Sequence, residues 1–281
     1  MSLYPRELFS GVSTLASRTP TLPPATHTNS YAIGTRDVLL VEPATPYEDE
    51  QRAWLEWARA LRSSGREPLA IVLTHHHADH VGGAALFAKE LSLPIWAHAQ
   101  TAEQLPDLQV AAKLADKQEI LLHGPTPMRW HVLHTPGHAA GHVCLYEAMD
   151  RTILVGDMVA SVGTILIAPG KGEGHMATYL AQLARLEGLG ASVALPAHGA
   201  PIEDPVGVFR KTREHRLMRE GKVLAAATST PGTAEELLPA AYSDVAAELL
   251  PFALLSLRAH LEKLVDEGRV ALTDDRYRAT T

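Results

Sequence analysis

The run His75-His76-His77-Ala78-Asp79-His80 constrains this chain more than any other stretch in it. It follows an apolar segment at 69–73, Leu-Ala-Ile-Val-Leu, and precedes a Gly82-Gly83 pair and a helical pattern over 83–91. A buried strand, a polar turn and a helix in that order make one βα step of a layered α/β fold. Along an extended segment alternate side chains share a side, so His75 and His77 face one way and His76 the other. Asp79 and His80 then turn to serve a second ion. A histidine tag or loosely metal-binding tract would not be framed by a strand and paired glycines, so the pattern reads as half of a two-metal site.

Three further apolar stretches, 129–133, 151–155 and 192–195, each run into a glycine-flanked loop that holds His or Asp. The loops are His134-Thr135-Pro136-Gly137-His138-Ala139-Ala140-Gly141-His142, then Gly156-Asp157, then Pro196-Ala197-His198-Gly199. Residues at the ends of neighbouring strands converge on one edge of a sheet, where α/β folds place their chemistry. One ion is assigned His75, His77 and His138, and the other Asp79, His80 and His198, with Asp157 bridging them. Nitrogen and oxygen donors of this kind suit two divalent ions, zinc first, with iron or manganese as substitutes. Ions bridged at about 3.5–4 Å share a hydroxide, which removes the need for a side-chain nucleophile. Asp79 is expected to orient that hydroxide or accept its proton. His142 reads as a supporting partner rather than a ligand. The single cysteine, Cys144, excludes an internal disulfide, sits in an apolar segment and fits a reducing compartment.

Elsewhere the pattern predicts an irregular lead-in over 19–27, two short strands at 29–34 and 37–42, and a helix opened by a capping box at Thr45-Pro46-Tyr47-Glu48. Strands are expected at 94–97, 119–122 and 143–146, with helices over 100–117 and 175–186. The apolar residues of 159–168 read chiefly as a buried strand, with a substrate pocket lining as the alternative. Beyond Pro205 the chain turns helical, with a second capping box at 233–236 and a closing hairpin over 269–278. This divides the chain into a catalytic domain at 1–204 and a small helical domain with a wing at 205–281. A net charge of −7 argues against nucleic acid or an anionic membrane as partner. No basic n-region, no apolar h-region and no run of about twenty apolar residues is present, so the expected compartment is the cytoplasm.

These residues resemble the metallo-β-lactamase superfamily. Thr74-His75-x-His77-x-Asp79-His80, Thr135-Pro136-Gly137-His138, Gly156-Asp157 and Ala197-His198-Gly199 match its successive metal motifs in order. The resemblance implies an αββα sandwich with a dinuclear site at one sheet edge. Asn29-Ser30-Tyr31, Gly163-Thr164 and a helical tail with Glu214-His215-Arg216 are similar to the lactamase-beta-2-like proteins and their thioesterase relatives, whose tail is a winged-helix-like appendage and a site of dimerisation. Two departures stand out. Glu42-Pro43-Ala44 replaces the usual Asp-Thr-Gly after the second strand, which puts that aspartate's support of the site in doubt, and Ala197 replaces a glycine before His198.

The expected function is hydrolysis of a carboxylic ester, thioester or lactone, with a small acyl molecule as substrate and no membrane partner. The alternative is a single-strand-specific endoribonuclease, whose phosphates would be tracked by Arg210, Lys211, Arg213, Arg216, Arg219 and Lys222. RNA is the less favoured partner, because the tail lacks interleaved aromatics to stack bases. A non-enzymatic metal-binding regulator ranks below both, since all seven ligands are present.

Overall fold

In the computed structural model, which describes residues 4–280, the chain forms two compact units. The first comprises Met1–Thr135, Gly141–Thr164 and Ala191–Pro205, the second Pro136–Ala140, Ile165–Gly190 and Val206–Thr281.

The first unit is built on two mixed sheets. One has strand order β1-β2-β3-β4-β5-β6-β7, from β1 (Arg6–Phe9), β2 (Val12–Arg18), β3 (His27–Ile33), β4 (Asp37–Val41), β5 (Glu67–Val72), β6 (Ile95–His98) and β7 (Val110–Leu114). It is antiparallel from β1 to β4 and parallel from β4 to β7. The other has order β12-β11-β10-β9-β8, from β8 (Glu119–Leu122), β9 (Met128–His134), β10 (Val143–Glu147), β11 (Thr152–Gly156) and β12 (Val193–Pro196), with β11 and β12 parallel. Alternation along the strands sends Tyr31, Ile33, Leu39, Val41 and Val72 from the first sheet into one core with Trp130, Val132, Val143, Leu145 and Leu195 from the second. Each of these is worth about 1.5–3 kcal/mol in burial.

The outer face of the first sheet is covered by α1 (Glu48–Ser63) and α3 (Ala84–Leu91), with the short α2 (Ala78–Val81) and α4 (Ala99–Gln104) near its edge. Trp54 and Phe87 stack at 3.9 Å between α1 and α3, and Trp54 Nε1 donates to Ser30 Oγ at 2.8 Å. Trp54, Leu55, Ala58 and Leu61 are all buried, as their helical spacing predicts.

Four local expectations are corrected. A hairpin, β1 and β2, precedes the first expected strand. The Thr45 box does not form: Thr45 Oγ1 accepts from Tyr47 N at 3.2 Å, and α1 begins at Glu48. Only residues 100–104 of the expected 100–117 helix are helical, within α4, and the rest includes β7. The stretch 159–168 contains no strand.

The second unit holds α5 (Met176–Gly188), α6 (Pro205–Ser229), α7 (Ala234–Ala241), α8 (Leu250–Asp266) and the hairpin β13 (Val270–Thr273) with β14 (Arg276–Ala279). Leu237, Leu257, Leu261, Leu264 and Val270 share its core with Val223 and Ala227 of α6. The Thr233 capping box is formed on both sides, which fixes the start of α7.

Candidate metal centre

Parallel pairing of β4 with β5, and of β11 with β12, brings each pair's carboxyl ends to the same edge. Leu73, Thr74 and His75 continue directly from β5, and Val143 N donates to Thr74 O at 2.9 Å, tying this turn to the start of β10. The loop after β12 is tied to the start of β3. Asn29 Nδ2 donates to Pro196 O and Gly199 O at 3.0 and 2.8 Å, and Tyr31 Oη donates to Pro196 O at 2.8 Å.

Hydrogen bonds fix which ring nitrogen each histidine turns inward. Thr74 Oγ1 donates to Glu42 Oε1, so it accepts from His75 Nδ1 at 2.9 Å, which leaves His75 Nε2 facing His77 Nδ1 at 3.0 Å. His198 Nδ1 donates to His27 O at 3.0 Å, and His80 Nδ1 faces Glu42 Oε1 at 3.3 Å. Nε2 is therefore the inward atom of His75, His80 and His198, each anchored from behind as metal-binding histidines are.

Four of the expected ligands converge on one point. His80 Nε2 lies 3.5 Å from Asp157 Oδ2 and 3.7 Å from Asp79 Oδ2, while His198 Nε2 lies 3.4 Å from Asp157 Oδ1 and 3.5 Å from Asp79 Oδ2. These separations are long for hydrogen bonds. They lie close to the roughly 3.3–3.6 Å between donors arranged tetrahedrally about an ion at about 2.0–2.2 Å. His80 Nε2 is fully buried and makes no hydrogen bond among the described residues, an arrangement that a cation would satisfy. The donor set therefore fits a divalent metal.

Charge concentrates here accordingly. Burial pulls the His80 pKa down, but Glu42, Asp157 and Asp79 outweigh it and hold the ring well above its ordinary value. Burial likewise opposes ionisation of Asp157, yet His80 and His198 keep that carboxyl well below the usual carboxylate range. His198 is raised against burial, chiefly by Asp157.

His142 does not point a lone pair at this cluster. Its Nε2 accepts from Asp157 N at 3.1 Å, so its Nδ1 donates to Thr135 Oγ1 at 2.8 Å, and the ring fixes the backbone of Asp157 instead. Gly156, at φ +47, permits this approach, since a Cβ there would lie 2.6 Å from His142 Nε2. His138 belongs to the second unit, where its Nδ1 donates to Leu166 O at 2.9 Å.

Glu42 is the functional residue that sequence reasoning passed over. The motif in which an aspartate is expected carries a glutamate here, and its carboxylate touches both Thr74 and His80, supporting a histidine from each proposed ion set. It is buried and held at φ +60, a left-handed conformation that costs a side chain about 1–2 kcal/mol. The signal available was the residue type itself, an acid at the carboxyl end of a central strand.

Comparison with known proteins settles the lineage. The sequence profile described as Metallo-beta-lactamase superfamily matches residues 23–198, and that of a Beta-lactamase associated winged helix domain matches 233–278. The chain belongs to the metallo-beta-lactamase superfamily. Members are generally metal-dependent hydrolases, and this chain is one of them. It is 27% identical over 261 residues to the Beta-lactamase-like protein 2 homolog of Drosophila melanogaster, covering 88% of this chain and 85% of that one. It is 28% identical over 235 residues to the Atrochrysone carboxyl ACP thioesterase nsrC of Aspergillus novofumigatus, covering 77% and 66%. A crystal structure of a metallo-beta-lactamase family protein from Thermus thermophilus superposes with a TM-score of 0.80 at 26% identity, covering 98% of this chain and all of that one.

Proposed function

We propose that this superfamily member hydrolyses a carboxylic ester, thioester or lactone of a small acyl molecule. Two divalent ions, zinc by preference, would be held by His75, His77 and His138 and by Asp79, His80 and His198, with Asp157 shared. The observation that carries the reading is the convergence of His80 and His198 Nε2 on the carboxylates of Asp79 and Asp157. Bound there, divalent ions supply a water acidified to a pKa near 7 and polarisation of the electrophilic carbonyl. Asp79, partly exposed beside this cluster, orients the attacking water and takes its proton on the carboxylate oxygen not engaged by the ion. Asp157 stays ionised, and His142 keeps its peptide in place. Val162 is assigned as an apolar contact for the substrate: it is exposed and abuts Gly199, next to His198.

An acyl rather than a phosphodiester substrate is supported by what the basic side chains of α6 already touch. Arg210 and Arg213 pair with Glu187, Arg219 and Lys222 pair with Asp244, and Arg216 is buried. These charges are engaged within the second unit rather than arrayed for phosphates. The thioesterase among the relatives supports the same choice. We place the reaction in the cytoplasm, in keeping with the finding that no helix among the described residues is long and apolar enough to cross a membrane.

The test is a parallel assay of metal-loaded protein on an acyl thioester and on single-stranded RNA, each beside Asp79→Ala. Thioester cleavage reduced at least about 100-fold by the substitution is the expected result, general acid–base groups being worth about 10²–10⁴. RNA cleavage lost in the variant, with none of the thioester, would overturn the proposal.

A further inference from the structure

The loop that carries His138 is held, within the second unit, by later parts of the chain. Gly137 O accepts from His175 N at 2.9 Å, His138 Nδ1 donates to Leu166 O at 2.9 Å, and Ala140 N donates to Gly172 O at 3.0 Å. Gly137 sits so tightly on α5 that a Cβ would fall 2.4 Å from the backbone of Tyr179. Behind this arrangement lies Arg216 of α6, only 5% exposed. One of its terminal nitrogens donates to Ile165 O, the other donates to Ser256 Oγ of α8 at 3.3 Å, and the guanidinium lies 5.9 Å from the centre of the Tyr179 ring.

Burying a guanidinium is costly unless its donors are well used. Here they fix the carbonyl immediately before the one that receives the His138 proton. With the 165–166 peptide held, Leu166 O keeps Nδ1 of His138 protonated and Nε2 as its coordinating atom. We infer that Arg216 is a positioning residue for His138, so that the winged-helix tail sets one metal ligand of the hydrolase. The inference rests on the proposed metal centre.

The experiment loads the full chain with Co(II) and compares wild type, His138→Ala, R216M and R216K. Three quantities are read: Co(II) stoichiometry and affinity by chelator competition, the visible absorption bands, and the melting temperature of the metal-free protein. R216M is expected to bind one of two ions about tenfold more weakly, the lower end of the effect of removing a ligand's supporting partner. Its bands should move toward those of His138→Ala, and R216K, which keeps a donor for Ile165, should move them back. Wild-type affinity and bands in R216M, even with a lowered melting temperature, would mean that Arg216 only stabilises the tail and would overturn the inference. Should R216M fail to fold, S256A, which removes one anchor of the guanidinium, takes its place: a smaller shift in the same direction supports the inference, and unchanged bands overturn it. Wild type that takes up no Co(II), or His138→Ala that binds like wild type, refutes the metal centre itself and is recognisable as that separate result.

Discussion

Glu42 shows how one carboxylate can serve two histidines at once. Through the Thr74 hydroxyl it fixes the proton of His75, and by direct contact it faces Nδ1 of His80. Replacing it by glutamine keeps the size but removes the charge, so both rings lose their orienting anion. Metal affinity of Glu42→Gln should fall about 10–100-fold, measured by competition with a chromophoric chelator. His76→Ala, at a histidine assigned to neither ion although its ring lies 4.7 Å from that of His77, should leave metal content unchanged in the same titration. At this scale the sequence was legible where residue type and spacing are local, as in Asp79 and His80, which the structure brings beside Asp157 and His198. It was not legible where a role depends on two strand ends meeting, which is why Glu42 looked like a loss and is a substitution in kind.

Among the elements, the seam between α6 and α8 carries a buried ionic cluster. Glu220 forms an ion pair with Lys263 Nζ at 2.8 Å and accepts from Arg269 Nη1 at 3.0 Å, beside the fully buried ring of His260. Burial opposes ionisation of Glu220, but His260 and Lys263 outweigh it and bring the carboxyl from 4.5 down to about 2. A depressed carboxyl stabilises the fold fully above its unfolded value and ceases to do so as pH falls through its folded one. Glu220→Gln should therefore cost about 3 kcal/mol at pH 7, and the gap to wild type should close as pH drops from 4.5 toward 2, followed by urea unfolding across that range. The elements also mark where pattern reading stops. Long amphipathic runs such as α1 and α8 declare themselves by spacing. The stretch Val110-Ala111-Ala112-Lys113-Leu114 has good helix formers, yet it extends because β6 offers a parallel edge, a tertiary gain that outweighs local propensity. The β1–β2 hairpin was missed because its first strand is only four residues long and half of them are charged.

For the whole molecule, the concentration of histidines and carboxylates at one edge makes metal a structural component as well as a chemical one. Three acids, Glu42, Asp79 and Asp157, surround His80, and a cation held by Asp79 and Asp157 would offset their concentrated charge. A ligand present at about a thousand times its dissociation constant adds about 4 kcal/mol to stability. Removal of metal by a chelator should accordingly lower the melting temperature by on the order of 10 °C for a chain of this size, and zinc should restore it. Loss of activity with an unchanged melting curve would contradict this coupling. The βα succession and the order of the four ligand loops revealed the superfamily fold from sequence alone. The setting of Val162 was not legible, since it emerges only once its loop lies beside Gly199.

The hydrogen bonds that hold the 136–140 segment also impose a timetable. Its partners at Leu166, Gly172 and His175, and the arginine behind them at 216, all leave the ribosome after it does. At about 5–20 residues per second, the interval between residues 138 and 216 is roughly 4 to 16 s. During that time the nascent chain can fold strands and offer histidines, but it lacks the contacts that steady His138. The contacts that hold His138 are thereby deferred until the tail has been made.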